Sequence, residues 1–366
     1  MSHAAQNDPR IPQGYALVDP ATLSLPACPI PRPGDSVSWY ADSNRIKGKL
    51  MGHTSEGRPL LINQFGNPVV KETFEDLRLE NSFKRVGPNW ITLPQNALIL
   101  RPTSTVIGQF VEVLSGRVPP GPTYFELIEE IWSRGFEVFV VGGTVRDALG
   151  AVDSQDVDIV TTMPLNFARR FLPAMYRYEP TGDVTRGFIR IGGTPESGDS
   201  FIDIKVFSDS LPGTNEATFG VGFDRDVAHR DFACNAVYYD PINQVIIDPT
   251  GVGLADCLSR RLTLICETSD PFQHAQIFWR FWKFVARGYA FSPETMVLVC
   301  SQYIKAVTAM KHITRINYLK TQFISKCKDL DEAKTMIATV SARMEENGVG
   351  YIWSSLCEPH IHEILQ

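Results

Sequence analysis

The sequence lacks several features that would place it in a common class of protein. Its seven cysteines form no CxxC pair, which indicates a reduced, cytoplasmic protein without structural zinc. It has no run of roughly 18 apolar residues, so no membrane span and no membrane partner are expected. The first fifteen residues show neither a basic-then-apolar secretion signal nor an Arg-rich transit peptide. Internal repeats and low-complexity tracts are also missing.

An excess of positive charge is missing as well. The net charge of −6 excludes a broadly basic surface, so any contact with nucleic acid must be made by a local patch. The apolar content of 43% and the charged content of 21% are typical of a globular protein, and 366 residues are enough for two or three domains.

Composition along the chain suggests four regions. Residues 1–34 are rich in proline and predict a flexible arm. Residues 35–115 contain short β-prone runs between Gly, Asn and Pro turns, which predicts a small β-rich module that either covers the next domain or binds a protein partner. Residues 122–268 alternate between helical and strand patterns, and residues 269–366 are helical in pattern.

The most informative segment covers residues 137–162. An apolar strand is followed by Gly142 and Gly143, a short helix, and then Asp156 and Asp158 on the next apolar run. A glycine turn before a helix presents free N–H groups that suit a phosphate. Carboxylates at i and i+2 of a strand share a face and can hold the Mg²⁺ ions that clamp a transferring phosphoryl group. Together they indicate nucleotidyl transfer.

Each half of this pattern also has a simpler interpretation. A glycine pair before a helix is usually only a tight turn, and an Asp-x-Asp is usually a solvated strand end. Their order and spacing within one strand–turn–helix–strand unit favour the functional interpretation.

Four segments, in order, resemble the class II tRNA nucleotidyltransferase/poly(A) polymerase family, which includes the CCA-adding enzymes and lies in the DNA-polymerase-β-like superfamily. GGTVRD at 142–147 with DVDI at 156–159 resembles the first motif of the family. HRDFACNA at 229–236 is similar to RRDFTINA, and DPTGVGLAD at 248–256 to DPxGGxxDL. RFWKFVARGY at 280–289 is similar to the start of the family's neck helix, LRAxRFAARxGF.

The resemblance implies an α+β fold: a polymerase-β-like nucleotidyltransferase head at 122–268 with a mixed five-stranded sheet and helices, then a helical neck and body at 269–366. It also implies two-metal catalysis with Mg²⁺, held by Asp156, Asp158 and Asp203, the last in the place of the family's glutamate. Asp203 alone could equally be an edge-strand aspartate. The residues expected at the nucleotide are Gly142, Gly143, Arg146, Asp147, Arg230, Asp231, Asn235, Arg280 and Lys283.

Some of these roles have structural alternatives. Asp147 is expected to orient Arg146 or cap the turn rather than bind metal. Asn235 either contacts the ribose or makes a turn hydrogen bond. Trp279 and Trp282 could stack on a base, although such residues are more often core.

The sequence departs from the family where the base is read. The family's EDxxR segment, whose Asp and Arg bind ATP and CTP, is here QHAQI, with His274 for the Asp and Ile277 for the Arg. Isoleucine cannot donate hydrogen bonds, and histidine cannot reproduce a carboxylate acceptor pair. Templated addition of CTP and then ATP is therefore not expected, and base selection should differ.

Three functions remain open from the sequence. The first is Mg²⁺-dependent transfer of a nucleoside monophosphate from an NTP to an RNA 3′ end, on tRNA or another small RNA. The second is the same transfer to a protein, small molecule or nucleotide. The third is an inactive RNA- or nucleotide-binding module, which we disfavour because three converging carboxylates repel one another without metal.

Overall fold

The computed structural model describes residues 8–26, 31, 34–41, 44–74, 76–80, 93–152, 157–176, 180–182, 187–192, 201–210, 217–219, 222–266, 271–324, 327 and 329–365. Asp156, one of the predicted metal ligands, lies outside these residues. No helix in the described ranges is long and apolar enough to span a membrane.

The N-terminal third is made of short strands and one helix. The strands are β1 (Ala16–Leu17), β2 (Ser36–Ala41), β3 (Asn44–His53), β4 (Pro59–Asn63), β5 (Pro68–Val70), β6 (Arg78–Leu79) and β7 (Leu98–Arg101), and helix α1 is Ser104–Ser115. The Thr103 hydroxyl caps α1 by accepting from the Val106 N–H.

The middle of the chain alternates helices and strands. Its elements are α2 (Tyr124–Ser133), β8 (Val138–Val141), α3 (Gly143–Leu149), β9 (Val157–Thr161), α4 (Leu165–Tyr176), β10 (Phe188–Gly192), β11 (Phe201–Val206), β12 (Ser208–Ser210), β13 (Ala217–Phe219), α5 (Phe223–Ala228), β14 (Tyr238–Asp240), β15 (Val245–Asp248), α6 (Gly253–Ser259) and β16 (Arg261–Leu262). Thr123 and Glu126 form a reciprocal capping box at the start of α2.

The C-terminal part is helical. It comprises α7 (Pro271–Ala286), the short strand β17 (Ala290–Phe291), α8 (Pro293–Leu298), α9 (Ile304–Ala309), α10 (His312–Leu319), α11 (Leu330–Glu346), α12 (Gly350–Leu356) and α13 (Ile361–Leu365). Helix α7 packs on α9 and α11, and its aromatic side chains are continuous with the core of the preceding domain.

The central sheet has eight strands in the order β1-β7-β15-β14-β8-β9-β11-β10, and only β9 and β11 of this set are parallel neighbours. The expected α+β class is confirmed, but the sheet is larger than the five strands expected. β7, which the sequence analysis assigned to the β-rich module, pairs with β15 instead, and β1 extends the same edge. Ile99 and Leu100 project from opposite faces of β7 and both are buried, which requires a sheet that is covered on both sides.

Helix α1 also packs on this domain rather than on the β-rich module. The ring of Phe110 in α1 stacks on Tyr239 of β14 with 3.7 Å between the centroids. Residues 98–115, at the end of the region expected to form the β-rich module, therefore contribute to the core of the head.

The remaining β-rich module is an antiparallel sheet. Strands β6, β2, β3, β4 and β5 are neighbours in that order, and the hairpin of β12 and β13 joins it through a single pairing of Phe219 with His53. Its small core contains Val37, Trp39, Leu50 and Leu61.

Candidate active site

Two of the three predicted carboxylates lie side by side. Strands β9 and β11 are parallel, and Asp158 is directly opposite Asp203 in their register. The side chains therefore project from the same face of the sheet, with 27% and 12% of their surfaces exposed. The flanking residues Ile202 and Ile204 lie in the core on the other face, as the alternation along β11 predicts.

Each of these carboxylates is paired with a cation that the sequence analysis did not single out. Lys205 Nζ lies 2.8 Å from Asp158 Oδ1. Arg190, opposite Asp203 on β10, donates from Nε and Nη2 to the two Asp203 oxygens at 2.6 and 2.7 Å. These cations offset the carboxylate repulsion, so the presence of the carboxylates does not by itself require a metal. Lys205 follows Asp203 by two residues on the same strand and therefore lies on the same face, which is the sequence signal that could have revealed it.

The glycine turn lies beside the same carboxylate. Gly142 directly follows β8 with a φ of +71°, and a Cβ there would lie 3.4 Å from Asp158 Oδ2, in van der Waals contact. The Thr144 hydroxyl accepts from the Asp158 N–H at 3.0 Å. The positive φ would strain any residue with a side chain, so this position favours glycine.

A hydrogen-bond network joins three of the sequence motifs. Arg146 donates from Nε to Asp147 at 2.9 Å and from Nη1 to Asn235 Oδ1 at 2.6 Å. The Asn235 amide donates to Asp231 Oδ1 at 2.9 Å, and Arg280 Nε donates to Asp231 Oδ2 at 2.5 Å. Asn235 thus connects Arg146 with Asp231, and Arg280 ties the neck helix to the second motif.

The charges in this network stabilise one another. Burial alone raises the pKa of the Asp231 carboxyl, but the Arg280 charge and the hydrogen bond from Asn235 outweigh it, and the net pKa is lowered. Burial opposes the charge of Arg146, yet the neighbouring Asp147 raises its pKa overall. The Arg146 guanidinium also lies 4.9 Å from the ring centroid of Phe284 in α7.

Arg230 lies in a separate cluster. Its Nε and Nη2 donate to Asp226 Oδ2 at 3.0 and 2.8 Å, and the Tyr238 hydroxyl donates to the same oxygen at 2.6 Å. Burial opposes the Arg230 charge, but Asp226 raises its pKa overall. Asp226 and Tyr238 are therefore partners of Arg230 that the sequence did not reveal.

The third motif forms a turn that supports the second. Asp248 accepts hydrogen bonds from the backbone of Thr250, Gly251 and Leu254. A Cβ on Gly253 would lie 2.5 Å from the Ala233 carbonyl oxygen. The two motifs approach each other too closely for any side chain there.

His274 and Ile277, at the two positions that read the base in the family, make packing contacts. The His274 ring stacks on Tyr303 with 4.4 Å between centroids, and Ile277 is buried. Trp279 and Trp282 have 0% exposure, so the hypothesis that one of them stacks on a base is wrong and both are core residues. Lys283 lies one turn beyond Arg280 on α7 and is half-buried.

The donor set at the paired strands suits a hard cation. Asp158 and Asp203 offer partly exposed carboxylate oxygens on one face, which are ligands that Mg²⁺ prefers, and Gly142 keeps the space beside Asp158 Oδ2 open. The residues present therefore fit Mg²⁺, although Arg190 and Lys205 share the same oxygens.

The known proteins that resemble this chain do so in its head domain. The Poly A polymerase head domain family matches residues 138–263. The CCA-adding enzyme of Bordetella bronchiseptica is 29% identical over 188 residues, which cover 47% of this chain and 45% of that enzyme. The CCA-adding enzyme of Geobacillus kaustophilus is 28% identical over 200 residues, which cover 54% of this chain and 47% of that enzyme. The chain thus spans about half the length of these relatives.

Two solved structures of CCA-adding enzymes are among those similar to part of the chain. The Bacillus stearothermophilus CCA-adding enzyme in complex with CTP has a TM-score of 0.45 at 17% identity, covering 64% of this chain and 53% of that one. The Thermotoga maritima CCA-adding enzyme complexed with tRNA has a TM-score of 0.44 at 20% identity, covering 65% and 54%. The family match covers residues 138–263, about a third of the chain, and this segment is similar to the head domain of the Poly A polymerase family.

Proposed function

We propose that this protein is a Mg²⁺-dependent nucleotidyltransferase that transfers a nucleoside monophosphate from an NTP to an RNA 3′ end, with base selection that differs from CCA addition. The observation that carries the proposal is the in-register pair of Asp158 and Asp203 beside the Gly142 turn. The relatives matched across the head are CCA-adding enzymes, which supports a nucleotide and an RNA as substrates.

In this proposal Asp156, Asp158 and Asp203 hold the metal. Bound Mg²⁺ would neutralise charge on the triphosphate and acidify the attacking hydroxyl. Arg190 fixes the Asp203 carboxylate through two hydrogen bonds, and Lys205 does the same for Asp158 through one. Both carboxylates are thus held in place on rigid strands before substrate arrives, which lowers the entropic cost of assembling the site.

The Arg146 network would position the nucleotide. Arg146 is held by Asp147 and Asn235, and Arg280 is held by Asp231, so neither guanidinium is free to rotate. Gly142, Gly143 and Lys283 complete the proposed nucleotide contacts. Arg230, predicted from the sequence as a further contact, is already paired with Asp226 and would act by supporting the second motif.

Base selection is proposed to differ because the positions that read the base in the family are committed elsewhere. His274 stacks on Tyr303, and Ile277 is buried without a polar group to offer. A pocket lacking a carboxylate and a guanidinium at these positions has no bidentate partner for the base edges of CTP or ATP.

A basic surface on the β-rich module supports an RNA acceptor over a non-RNA one. The register of β2 and β3 places Arg45, Lys47 and Lys49 on the face opposite the module's core, paired across the strands with Tyr40, Ser38 and Ser36. Arg78 joins this face and lies over the Tyr40 ring at 5.8 Å, while Glu80 contacts Arg45 and Lys47. Four cations around an exposed tyrosine form a local patch that suits the phosphates and bases of a single strand.

Transfer is tested with purified protein, Mg²⁺, each of four α-³²P-labelled NTPs and total RNA. The variant Asp158→Asn is compared with Asp331→Asn, which removes a carboxylate that is 91% exposed on α11. We expect label in RNA with wild type and Asp331→Asn, and a loss of at least 100-fold with Asp158→Asn. Label in protein or in a small product would show that the acceptor is not RNA. Incorporation of label that does not depend on Asp158 would show that Asp158 and Asp203 are not the catalytic site.

The RNA contact is tested separately by filter binding of a labelled single strand across a salt series. Lys47→Glu/Lys49→Glu should weaken binding and lower the log–log salt slope by roughly 1.4, two phosphates at about 0.7 each. Lys334→Glu, an exposed lysine on α11, is the control. An unchanged salt slope in the double variant would show that the basic patch does not contact the RNA.

A further inference from the structure

Two histidines and a glutamate converge at the end of the helical region. His312 begins α10, His360 ends a short 3₁₀ helix (Glu358–His360), and Glu363 lies in α13. His360 Nδ1 is 2.8 Å from Glu363 Oε1, and His312 Nε2 is 3.9 Å from the same oxygen. One ligand atom from each residue lies within 4.8 Å of the other two. Among the described residues this is the one such group of three found.

The chemistry of these side chains is that of a transition-metal site. Two imidazoles and a carboxylate match the three-ligand sets that bind Zn²⁺ with a fourth position left to water. Imidazole nitrogen favours Zn²⁺ and its neighbours over Mg²⁺, which prefers oxygen. The group therefore differs in selectivity from the carboxylates Asp158 and Asp203 of the head.

The spacing needs only a small adjustment to hold an ion. Tetrahedral ligands at about 2.1 Å from Zn²⁺ lie roughly 3.4 Å apart. His312, His360 and Glu363 have 43%, 31% and 49% of their side chains exposed. Side chains this accessible can change rotamer to close the remaining distance of up to about 1.4 Å.

We propose that His312, His360 and Glu363 bind one Zn²⁺-like ion that ties the start of α10 to the last helix. His360 and Glu363 are three residues apart, whereas His312 lies about fifty residues earlier, so the ion would cross-link two distant parts of the chain. The apolar contacts already bring these parts together, since Ile316, Leu319 and Ile364 are buried in the shared core. The proposal does not depend on the proposed function of the head.

Binding also has a proton balance. In the ion-free arrangement Nδ1–H of His360 donates to Glu363, and coordination through Nδ1 replaces that proton with the metal. The proton moves to Nε2 as the ring changes tautomer, so a neutral imidazole binds the ion and no net proton is released.

The test is titration calorimetry of the full chain, without a histidine tag, against ZnCl₂ and MgCl₂. The variants are His312→Ala, His360→Ala and Glu363→Gln, and the matched control is His362→Ala, an exposed histidine adjacent to the cluster. We expect one Zn²⁺ site per chain, at least tenfold weaker in each of the three variants and unchanged in the control. Circular dichroism checks that the variants fold.

A second readout separates this site from cysteine ligation. Co²⁺ bound by nitrogen and oxygen should show visible d–d bands without thiolate charge transfer, and Zn²⁺ should raise the melting temperature of wild type but not of His312→Ala. Equal Zn²⁺ affinity in all four variants, a thiolate band, or an equal loss in His362→Ala would overturn the proposal.

Discussion

His53 should make the stability of the β-rich module depend on pH. The ring is 4% exposed, its Nδ1 lies 3.0 Å from the Thr54 carbonyl oxygen, and its Nε2 is buried with no hydrogen-bond partner among the described residues. Burial lowers the pKa of His53 from 6.5 to about 4, against the smaller opposing effect of the Thr54 carbonyl. The folded module therefore holds a neutral imidazole that the unfolded chain would protonate.

The sign and size follow from proton linkage. Between pH 6.5 and about 4 the unfolded state binds a proton that the folded state does not, so stability falls as the pH falls through this window. About 2.5 pK units at 1.36 kcal/mol each give at most roughly 3 kcal/mol. Above about pH 7.5 both states hold a neutral ring and the group contributes no pH dependence.

The assay is urea unfolding at pH 7.5, 6.5, 5.5 and 4.5, followed by tryptophan fluorescence, to which Trp39 in the module's core contributes. His53→Leu removes the titrating ring, and His362→Leu removes an exposed one as a control. We expect the slope of unfolding free energy against pH in this window to flatten in His53→Leu only. Equal slopes in wild type and His53→Leu would refute the reasoning.

Three further outcomes are expected. Gly253→Ala should destabilise the head by about 1–3 kcal/mol in thermal unfolding, because its Cβ would meet a carbonyl oxygen at 2.5 Å, whereas Gly108→Ala, in open space on α1, should be neutral or stabilising by up to about 1 kcal/mol. Asn235→Ala should lower kcat at least tenfold while circular dichroism stays unchanged, since it removes the link between two motifs; unchanged kcat would limit Asn235 to a structural role. The pKa of Asp231 is lowered in the folded state, so its contribution to the free energy of unfolding is complete above about pH 4 and is lost as the pH falls through the folded-state pKa. Asp231→Asn should therefore remove the acid-sensitive part of the urea midpoint. A dependence of the midpoint on pH identical to that of wild type would contradict this.

The carboxylate site could be predicted because its signals are local. Alternation along 201–207 puts Asp203 opposite the apolar residues, and the motif order places it near Asp158. The structure places Asp158 and Asp203 in register on one face of the sheet, as these signals predict.

The parts that sequence did not reveal depend on distant pairing. β7 joins β15 across nearly 150 residues, and the three apolar residues of β7 fit a strand of the module or of the central sheet equally well. Arg190 reaches Asp203 only because β10 and β11 form a hairpin whose register the sequence does not specify. The two tryptophans of α7 show helical spacing, but which side of the helix faces the core is set by α9 and α11.

The strand that carries Asp203 has a mechanical connection to the module. Phe207 alone separates β11 from β12, and β12 pairs with β13, which meets β3 at His53. The backbone therefore passes from the central sheet to the module's sheet within one residue. Because Phe207 packs against Phe139 and Phe223, this crossing point lies inside an aromatic cluster and fixes the module's sheet close to the strand that carries Asp203.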